Sequence, residues 1–415
     1  MTKLKPSPLA PASFPDLPPV PGVALGAVDA DLAYGPRSDL MMAVMHEDTA
    51  AAGVFTRSRC PSAAVDWCRA AFQQTGGTET RALVVNAGNA NAFTGSAGEV
   101  AARATAQKAA ALAGCEPEQV MLASTGVIGE QLDTGPLASG LARLYPALAA
   151  TGWRDGAEAI RTTDTFAKGC SKQALLDGDT VVINGIAKGS GMIAPDMATM
   201  LGFVFTNARI AAPVLQALLS EATALSYNSI TVDSDTSTSD TVLAFATGQD
   251  VSHEMISDPA DPRLADFREK FTALNRDLAQ QIVRDGEGAT KFVSVTIEGA
   301  EDDASARRIA LSVANSPLVK TAIAGEDANW GRIVMAIGKA GEPANRDRIS
   351  IWAGDTMIAE KGAAVPGYDE APVNAHMKGQ DICFRADVGV GSGQATVWTC
   401  DLTHGYISIN GDYRS

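Results

Sequence analysis

The sequence predicts a mixed α/β fold, and three observations support that prediction. Strand-like and helix-like segments alternate along most of the 415 residues. Short apolar runs such as "RALVVNAGNANAF" (81–93) end in Gly/Asn turns, which is typical of buried strands. After Lys291 the pattern restarts with the alternating segment "FVSVTIEGA" (292–300). Because the chain is also long enough for two domains, we place a boundary near 290, giving domains 1–290 and 291–415.

The proline-rich start, residues 1–22, predicts an extended arm lying on the surface. Ser96 and Glu99 form an S-x-x-E pattern, which predicts a capping box for a helix over 97–114. The next strand, over 120–129, is expected to break at Thr125-Gly126. Later segments predict strands over 179–189, 200–206, 394–402 and 406–409 and a helix over 209–226 with Leu215, Leu218, Leu219 and Ala222 on its apolar face.

The formal charge of −15 disfavours nucleic acid and anionic membranes as partners, because phosphate binding needs a basic face. No apolar run reaches the roughly 20 residues that a membrane-spanning helix needs. The N-terminal segment has no apolar core of the kind found in secretion signals. We therefore expect a cytoplasmic protein that acts on small molecules.

The cysteine and histidine inventory disfavours two common kinds of active site. None of the six cysteines forms a CxxC pair, and none of the four histidines has a partner at metal-ligand spacing. A zinc enzyme or a Ser-His-Asp hydrolase is therefore not expected, and we predict no metal and no cofactor.

One segment, "KGSGMIAPDMATML" (188–201), poses a chemical question. Its glycines and its proline allow a strained backbone just before Ala198-Thr199. A threonine hydroxyl beside a strained peptide can attack the preceding carbonyl and form an ester, which water then cleaves. The free α-amine so created, with a pKa of about 7.7–8.0, can act as a base for the hydroxyl of Thr199. The residues alone leave this a possibility beside an ordinary strand threonine.

Motifs along nearly the whole chain resemble those of the ornithine acetyltransferase family, the bifunctional glutamate N-acetyltransferases of arginine biosynthesis. Besides the 188–201 segment, the matching motifs are "NAGNANAFTG" (86–95), "STGVIGE" (124–130), "TTDTFAK" (162–168), "DSDTSTSDT" (233–241), "GEGATK" (286–291), "GEDANWGRI" (325–333) and "INGDYRS" (409–415). The resemblance implies a layered α/β sandwich of the N-terminal-nucleophile type with a second, smaller α/β domain. It also implies two chains, made by self-cleavage, that assemble as α2β2.

The same resemblance implies an acetyltransferase that works by a ping-pong mechanism. N-acetylornithine acetylates Thr199, ornithine leaves, and glutamate takes the acetyl group. Some family members also accept acetyl-CoA, and the sequence carries no CoA fingerprint that would decide this.

The resemblance also assigns roles to individual residues. Thr199 is the nucleophile of both cleavage and transfer, and cleavage falls between Ala198 and Thr199. Thr125 and Gly126 form the oxyanion hole. The substrate-binding residues that the resemblance implies are Thr162, Lys188, Thr199, Glu287, Asn410 and Ser415.

Two other interpretations of these motifs are rejected on spacing. Lys188 precedes its glycines, whereas the lysine of a phosphate-binding P-loop follows them. In "DSDTSTSDT", Thr238 stands where a calcium-binding EF-hand needs glycine, and no glutamate closes the loop. We expect that run to be a hydrogen-bonded turn near the site.

The chain departs from the family pattern at five positions that carry none of these roles: Ala167, Asp196, Ser234, Ser239 and Ala328. Asp196 adds a carboxylate near the attacking amine, which would raise the pKa of that amine.

Two alternative functions stay open at this point. A self-processed aminopeptidase or amidase would use the same nucleophile but admit water to the acyl-enzyme. An uncleaved binding protein would keep the pocket without the chemistry, and it would run as one band on a denaturing gel.

Overall fold

The computed structural model describes residues 5–32, 35–194 and 200–411. The strands are β1 (Val23–Val28), β2 (Leu40–Met45), β3 (Ala50–Phe55), β4 (Ala82–Asn89), β5 (Val120–Val127), β6 (Lys168–Leu176), β7 (Asp179–Lys188), β8 (Leu201–Thr206), β9 (Thr241–Ala246), β10 (Phe292–Ala300), β11 (Ser350–Ala353), β12 (Thr356–Glu360), β13 (Ala363–Ala364), β14 (Asp381–Asp387) and β15 (Gly393–Cys400). The α-helices are α1 (Ala63–Thr75), α2 (Gly95–Ala113), α3 (Thr134–Leu144), α4 (Trp153–Ala159), α5 (Ala212–Ala224), α6 (Ala265–Arg284), α7 (Asp303–Ala314), α8 (Pro317–Ala324), α9 (Trp330–Gly338), α10 (Glu370–Met377) and α11 (His404–Gly411).

Two sheets face each other in the first part of the chain. One has the strand order β1-β2-β4-β5 and the other has the order β3-β9-β8-β7-β6. Met41 of β2 and Val85 of β4 share a buried core with Phe203 and Phe205 of β8. Val204, between those phenylalanines, points the other way, because successive side chains of a strand alternate between its faces.

Helices cover the outer faces of both sheets. α1, α2 and α3 contact the first sheet, whereas α5 and α6 contact the second. Val204 shares a second core with Leu215 of α5 and Leu274 of α6. The result is a four-layer α/β/β/α arrangement, which confirms the predicted layered α/β sandwich.

A third sheet, with the order β13-β12-β11-β14-β10-β15, occupies the C-terminal part of the chain. Its core draws on residues from Val293 to Val397 and is covered by α7, α8 and α9. Phe292 and Cys400, at strand ends of this sheet, pack instead into the second core. The boundary near 290 stays a prediction, and the polypeptide on both sides of it contributes to one continuous packing.

Most of the predicted elements are present, including β4, β7, β8, β10, β15 and the apolar face of α5. The N-terminal arm is extended but not merely superficial, since Leu9, Leu17 and Val20 are buried. Among the described residues, no helix combines the length and the apolar character that crossing a bilayer requires.

The predicted capping box is wrong. Helix α2 begins at Gly95 with Thr94 as its N-cap, so Ser96 and Glu99 lie inside the helix. Phe93 and Gly95 both adopt left-handed backbone conformations, with φ of 57° and 58°. This turn starts the helix two residues earlier than the Ser-x-x-Glu pattern indicates.

The predicted strand over 406–409 is also wrong, because these residues belong to helix α11. A short apolar run does not by itself distinguish a strand from a helix. In the helix, Tyr406 and Asn410 stand four residues apart and so share one face. That face is turned toward the pocket described next.

Candidate active site

Six of the predicted site residues line one cavity of about 140 Å³. They come from separate parts of the fold: Thr125 and Gly126 from β5, Lys188 from the end of β7, and the others from loops and from α11. The residues around the cavity are Ala90, Thr125, Gly126, Ile128, Thr162, Thr163, Lys188, Gly191, Met192, Ser237, Thr238, Ser239, Glu287 and Asn410.

Strand β5 does not break at Thr125-Gly126, contrary to the prediction. It continues to Val127, and Gly126 lies beside Gly88 of the parallel strand β4. Gly126 has a φ of +133°, and a Cβ at this position would stand 2.2 Å from the carbonyl carbon of Gly88. Glycine is therefore required here, since no side chain fits between the two strands.

The ammonium group of Lys188 lies beneath two threonine hydroxyls. Its Nζ is 3.1 Å from Thr125 Oγ1 and 3.0 Å from Thr162 Oγ1. An ammonium can only donate hydrogen bonds, so both hydroxyl oxygens accept from it. Each hydroxyl therefore keeps its own proton available for a molecule in the cavity.

Lys188 is almost completely buried, and burial lowers its pKa from the usual value. The negative charges of Asp164, Asp240 and Glu287 oppose this effect, while the nearby charge of Lys168 adds to it. The cavity thus has a cation at one side whose charge depends on surrounding carboxylates.

Glu287 places a carboxyl group in the cavity. Its Oε2 accepts a 2.7 Å hydrogen bond from Nδ2 of Asn410 on α11. Burial raises the pKa of Glu287, and the charge of Asp233 acts in the same direction, although hydrogen bonds from Asn410 and Thr163 favour the ionised form.

Gly191 explains part of the glycine-rich segment. A Cβ on this residue would lie 2.5 Å from Cδ of Glu287, so any side chain there would collide with the carboxylate. Glycine at this position allows the backbone to approach Glu287 closely.

The "DSDTSTSDT" run forms a hydrogen-bonded loop near the site, as predicted. Its first carboxylate, Asp233, accepts from the backbone N–H groups of Met192 and Ile193. Its last carboxylate, Asp240, accepts from the N–H of Met200 at 2.9 Å. The described residues contain no cluster of side chains suited to a metal ion.

Asp240 was not identified from the sequence as a site residue. It is fully buried, and burial raises its pKa well above the usual value. Its Oδ2 has no hydrogen-bond partner in the part of the chain that the structure describes. The carboxyl group lies next to Met200, one peptide bond from the predicted nucleophile.

Four residues named from the sequence lie outside the described residues. They are Asp196, Ala198, Thr199 and Ser415. Both described neighbours of the segment 195–199, Ala194 and Met200, are buried. Ser239 lines the cavity and directly precedes Asp240, which holds Met200.

The sequence also did not predict a network of buried charges behind the cavity. Lys168 Nζ lies 2.7 Å from Asp164 Oδ1 and 2.6 Å from Asp285 Oδ2, with no solvent exposure of any of these three side chains. All three stand in or beside quoted motifs, "TTDTFAK" and "GEGATK", but nothing in the residue spacing signals that they meet.

Comparison with known proteins identifies the family. The model of the ArgJ family matches residues 24–415. Proteins named arginine biosynthesis bifunctional protein ArgJ from Mesorhizobium japonicum and Rhizobium meliloti are each 56% identical over 411 residues, which cover 99% of this chain and of each relative.

Two solved structures are also similar. The crystal structure of arginine biosynthesis bifunctional protein ArgJ from Bacillus halodurans is 40% identical, covers 51% of this chain and 98% of that chain, and has a TM-score of 0.49. Ornithine acetyltransferase complexed with ornithine, from Mycobacterium tuberculosis, is 32% identical, covers 42% of this chain and 92% of that chain, and has a TM-score of 0.37. The resemblance predicted from the sequence motifs is confirmed by the family match and the curated relatives, and the chain belongs to the ArgJ family.

Proposed function

We propose that the chain moves an acetyl group from N-acetylornithine to glutamate through an acetyl-threonine at Thr199. The chain is an acetyltransferase of arginine biosynthesis, as its family membership implies. The observation that carries the finer proposal is the Lys188 ammonium, which donates to the Thr125 and Thr162 hydroxyls in a cavity that Glu287 also lines.

The chemical steps balance without a cofactor. The α-amine of Thr199 takes the proton of its own hydroxyl as Oγ1 attacks the acetyl carbonyl. The amide C–N bond of N-acetylornithine breaks, and the proton passes to the departing nitrogen. Glutamate's amine then attacks the acetyl ester and restores the free hydroxyl, with proton transfers in the opposite direction.

Thr125 and Gly126 stabilise the charge that develops on the carbonyl oxygen. Because the Thr125 oxygen accepts from Lys188, its O–H is free to donate to the oxyanion. The ammonium also polarises this hydroxyl and makes it a stronger donor. One donor of this kind contributes roughly 2.7–4 kcal/mol to the stability of a transition state.

Glu287 recognises the cationic end of the donor. N-acetylornithine keeps one free amine on its side chain, and a carboxylate forms a charge-assisted hydrogen bond with an ammonium. Asn410 already donates to Glu287, so it fixes the orientation of the carboxylate that faces the cavity.

Ornithine release tests this proposal against both alternatives. Purified protein is incubated with N-acetylornithine, with and without glutamate, and free ornithine is followed over time. A transferase releases about one ornithine per site without glutamate and continues only when glutamate is present. Continued release without glutamate would identify a hydrolase, and no release would identify a binding protein.

Self-cleavage between Ala198 and Thr199 is part of the proposal. The resulting fragments, 1–198 and 199–415, stay joined because two strands of the second fragment lie between strands of the first fragment in one sheet. Strand β8 of the second fragment lies between β7 of the first and β9, and β9 in turn pairs with β3 of the first fragment. Separating the fragments would break both pairings and expose the second core.

Four finer points belong to the same proposal. We expect acetyl-CoA to be a second acetyl donor, in keeping with the word "bifunctional" in the names of the relatives, and N-acetylglutamate formed from acetyl-CoA and glutamate is the product to measure. We expect an α2β2 assembly, which light scattering on the cleaved protein tests. We expect a cytoplasmic location. We also expect two domains, 1–290 and 291–415, and we expect Ser415 of the second domain to complete the substrate site.

A further inference from the structure

Lys168 and Lys188 are both buried, but their surroundings differ. The three N–H groups of Lys168 have three acceptors: Asp164 Oδ1, Asp285 Oδ2 and the Phe166 carbonyl oxygen. An ammonium has three donors, so Lys168 has none left for a substrate. Lys188 lines the cavity and contacts two hydroxyls that face a bound molecule. Lys168 therefore belongs to the buried network behind the cavity, whereas Lys188 belongs to the cavity itself.

Asp164 connects the two lysines through the backbone. Its Oδ1 accepts from Lys168 and, at 2.6 Å, from the N–H of Gly189, the residue that follows Lys188. Its Oδ2 accepts at 3.0 Å from the N–H of Thr162. The carboxylate of Asp164 thus binds the backbone N–H of Thr162 and the N–H that follows Lys188. The side chains of Thr162 and Lys188 contact each other at the cavity.

Asp285 completes the network on the opposite side of Lys168. It accepts from the backbone N–H of Thr165, and its carbonyl oxygen accepts from the Ser190 hydroxyl. It makes no contact with Thr162 or Gly189 through its carboxylate among the described residues. Asp164 and Asp285 therefore share the same lysine but bind different positions. Asp164 binds at Thr162 and Gly189, whereas Asp285 binds at Thr165 and Ser190.

Stability alone does not account for this cluster. Two lysines and two aspartates balance in formal charge, yet burying ion pairs is often no more stabilising than apolar packing of similar volume. Apolar side chains could not hold two backbone N–H groups in fixed directions. What the carboxylate of Asp164 adds is the orientation of the Thr162 and Gly189 backbone.

We propose that Asp164, held by Lys168, is a positioning residue of the active site that keeps the Lys188 ammonium between the Thr125 and Thr162 hydroxyls. This inference rests on the acetyl-transfer function proposed above. Through Lys188, Asp164 sets the direction in which the Thr125 hydroxyl donates. Misplacing a catalytic group by about 1 Å can cost as much as a hundredfold in rate.

The charge of Asp164 has a second effect, on the titration of Lys188. The charged groups around Lys188 are Asp164, Lys168, Asp240 and Glu287, and Asp164 is the largest of the influences that favour the ammonium. Activity needs the ammonium, so acetyl transfer declines as pH rises through the pKa of Lys188. Removing the Asp164 charge lowers that pKa and moves the decline to lower pH.

The test is the pH profile of kcat for acetyl transfer in Asp164→Asn, with Asp285→Asn as the matched control. Both variants remove one carboxylate charge from Lys168, and both are expected to lose thermal stability. In Asp164→Asn, the alkaline limb should move to lower pH and kcat should fall by as much as about 100-fold. In Asp285→Asn, the alkaline limb should stay close to that of the wild type. An unmoved limb in Asp164→Asn, or an equal shift in both variants, would overturn the proposal.

A second variant separates position from charge if Asp164→Asn does not fold. Asp164→Asn combined with Lys168→Met removes one charge of each sign, so the net charge of the cluster does not change, and Asp285 keeps its hydrogen bonds from Thr165. Its alkaline limb should lie near that of the wild type, because the two lost influences on Lys188 oppose each other. Its kcat should stay low, because an asparagine has one acceptor oxygen and an NH2 donor, so it cannot accept from both the Thr162 and the Gly189 N–H as the two carboxylate oxygens of Asp164 do. Recovery of the wild-type kcat would contradict the positioning role, while wild-type protein that transfers no acetyl group would instead refute the proposed function.

Discussion

The Thr125 hydroxyl is oriented by its hydrogen bond with Lys188. Its hydroxyl could rotate freely if it stood alone, but the Lys188 ammonium beneath it can only donate. The Thr125 oxygen is therefore occupied as an acceptor, and its proton turns toward the cavity. The same holds for Thr162, so the Lys188 ammonium leaves both threonine hydroxyls free to donate to a molecule in the cavity.

Replacing Thr125 with alanine should reduce kcat for acetyl transfer by about 10²–10³-fold, because an oxyanion donor acts mainly on the transition state. The KM for N-acetylornithine should change little. Thr125→Ser, which keeps the hydroxyl, should retain most of the activity. Steady-state kinetics of the two variants test this, and a change confined to KM would assign Thr125 to substrate binding.

Replacing Glu287 with glutamine should weaken N-acetylornithine more than it weakens a neutral acetylated donor. The substitution keeps the shape and the Asn410 contact but removes the charge that pairs with the donor's amine. Comparing kcat/KM for the two donors is the measurement. Equal losses for both would exclude Glu287 from donor recognition.

The raised pKa of Glu287 also predicts a pH dependence. Only the ionised carboxylate binds the donor's ammonium strongly, so the KM for N-acetylornithine should fall as pH rises through the pKa of Glu287. Because burial raises that pKa, this change should occur above the usual range of a glutamate. In Glu287→Gln the dependence should disappear; if it persists, another group is titrating.

At the scale of elements, helix α11 is attached to the cavity by three contacts. Gly288, with a φ of +73°, packs directly against the backbone of Gly405 and Tyr406. The Tyr406 hydroxyl lies 3.4 Å from Asp233, and Asn410 donates to Glu287. The helix therefore lies against one side of the cavity, which Asn410 lines.

Deleting residues 410–415 should lower acetyl transfer to glutamate and raise the share of acetyl lost to water, while cleavage at 198/199 still proceeds. The deletion removes Asn410 from Glu287 and opens the side of the cavity that α11 covers. Product analysis for N-acetylglutamate and acetate is the measurement.

Ile407→Ser is the matched control for this deletion. Ile407 stands on the same helix but is 67% exposed, so its replacement should leave the product ratio unchanged. Full transfer activity in the truncated protein would show that the tail is not part of the site.

Several elements could be predicted from the sequence because each follows from a local pattern. Strands β7 and β8 are apolar runs of strand length, and α5 repeats its leucines at helical spacing. Helix α11 could not be predicted, because its form depends on contacts with Asp233 and Glu287, which are distant in sequence. The continuation of β5 depends likewise on the pairing of Gly126 with Gly88.

The site also contains residues that the sequence predicts and residues that it does not. Family motifs led to Thr125, Thr162, Lys188, Glu287 and Asn410, which the fold brings to one cavity. The roles of Asp164, Lys168 and Asp285 depend on contacts between residues as far apart as 120 positions. No local pattern encodes such a contact, so the supporting network emerges only in three dimensions.

At the scale of the whole molecule, cleavage would leave two interleaved chains. Strands β8 and β9 of the second fragment lie between β3 and β7 of the first in the second sheet, and both fragments contribute to the first and second cores. The fragments 1–198 and 199–415 should therefore copurify under native conditions and separate only on a denaturing gel. Thr199→Ala should give a single uncleaved band, and cleavage in that variant would exclude Thr199 as the cleaving nucleophile.

The central claim is that the acetyl group passes through Thr199, and intact mass spectrometry tests it most directly. Protein is incubated with N-acetylornithine alone, quenched in acid, and the masses of its fragments are measured before and after glutamate is added. We predict that fragment 199–415 gains the mass of one acetyl group at Thr199 and loses it to glutamate, while fragment 1–198 stays unchanged. An active enzyme whose chain is uncleaved, or whose fragment 199–415 never carries the acetyl group, would contradict this mechanism.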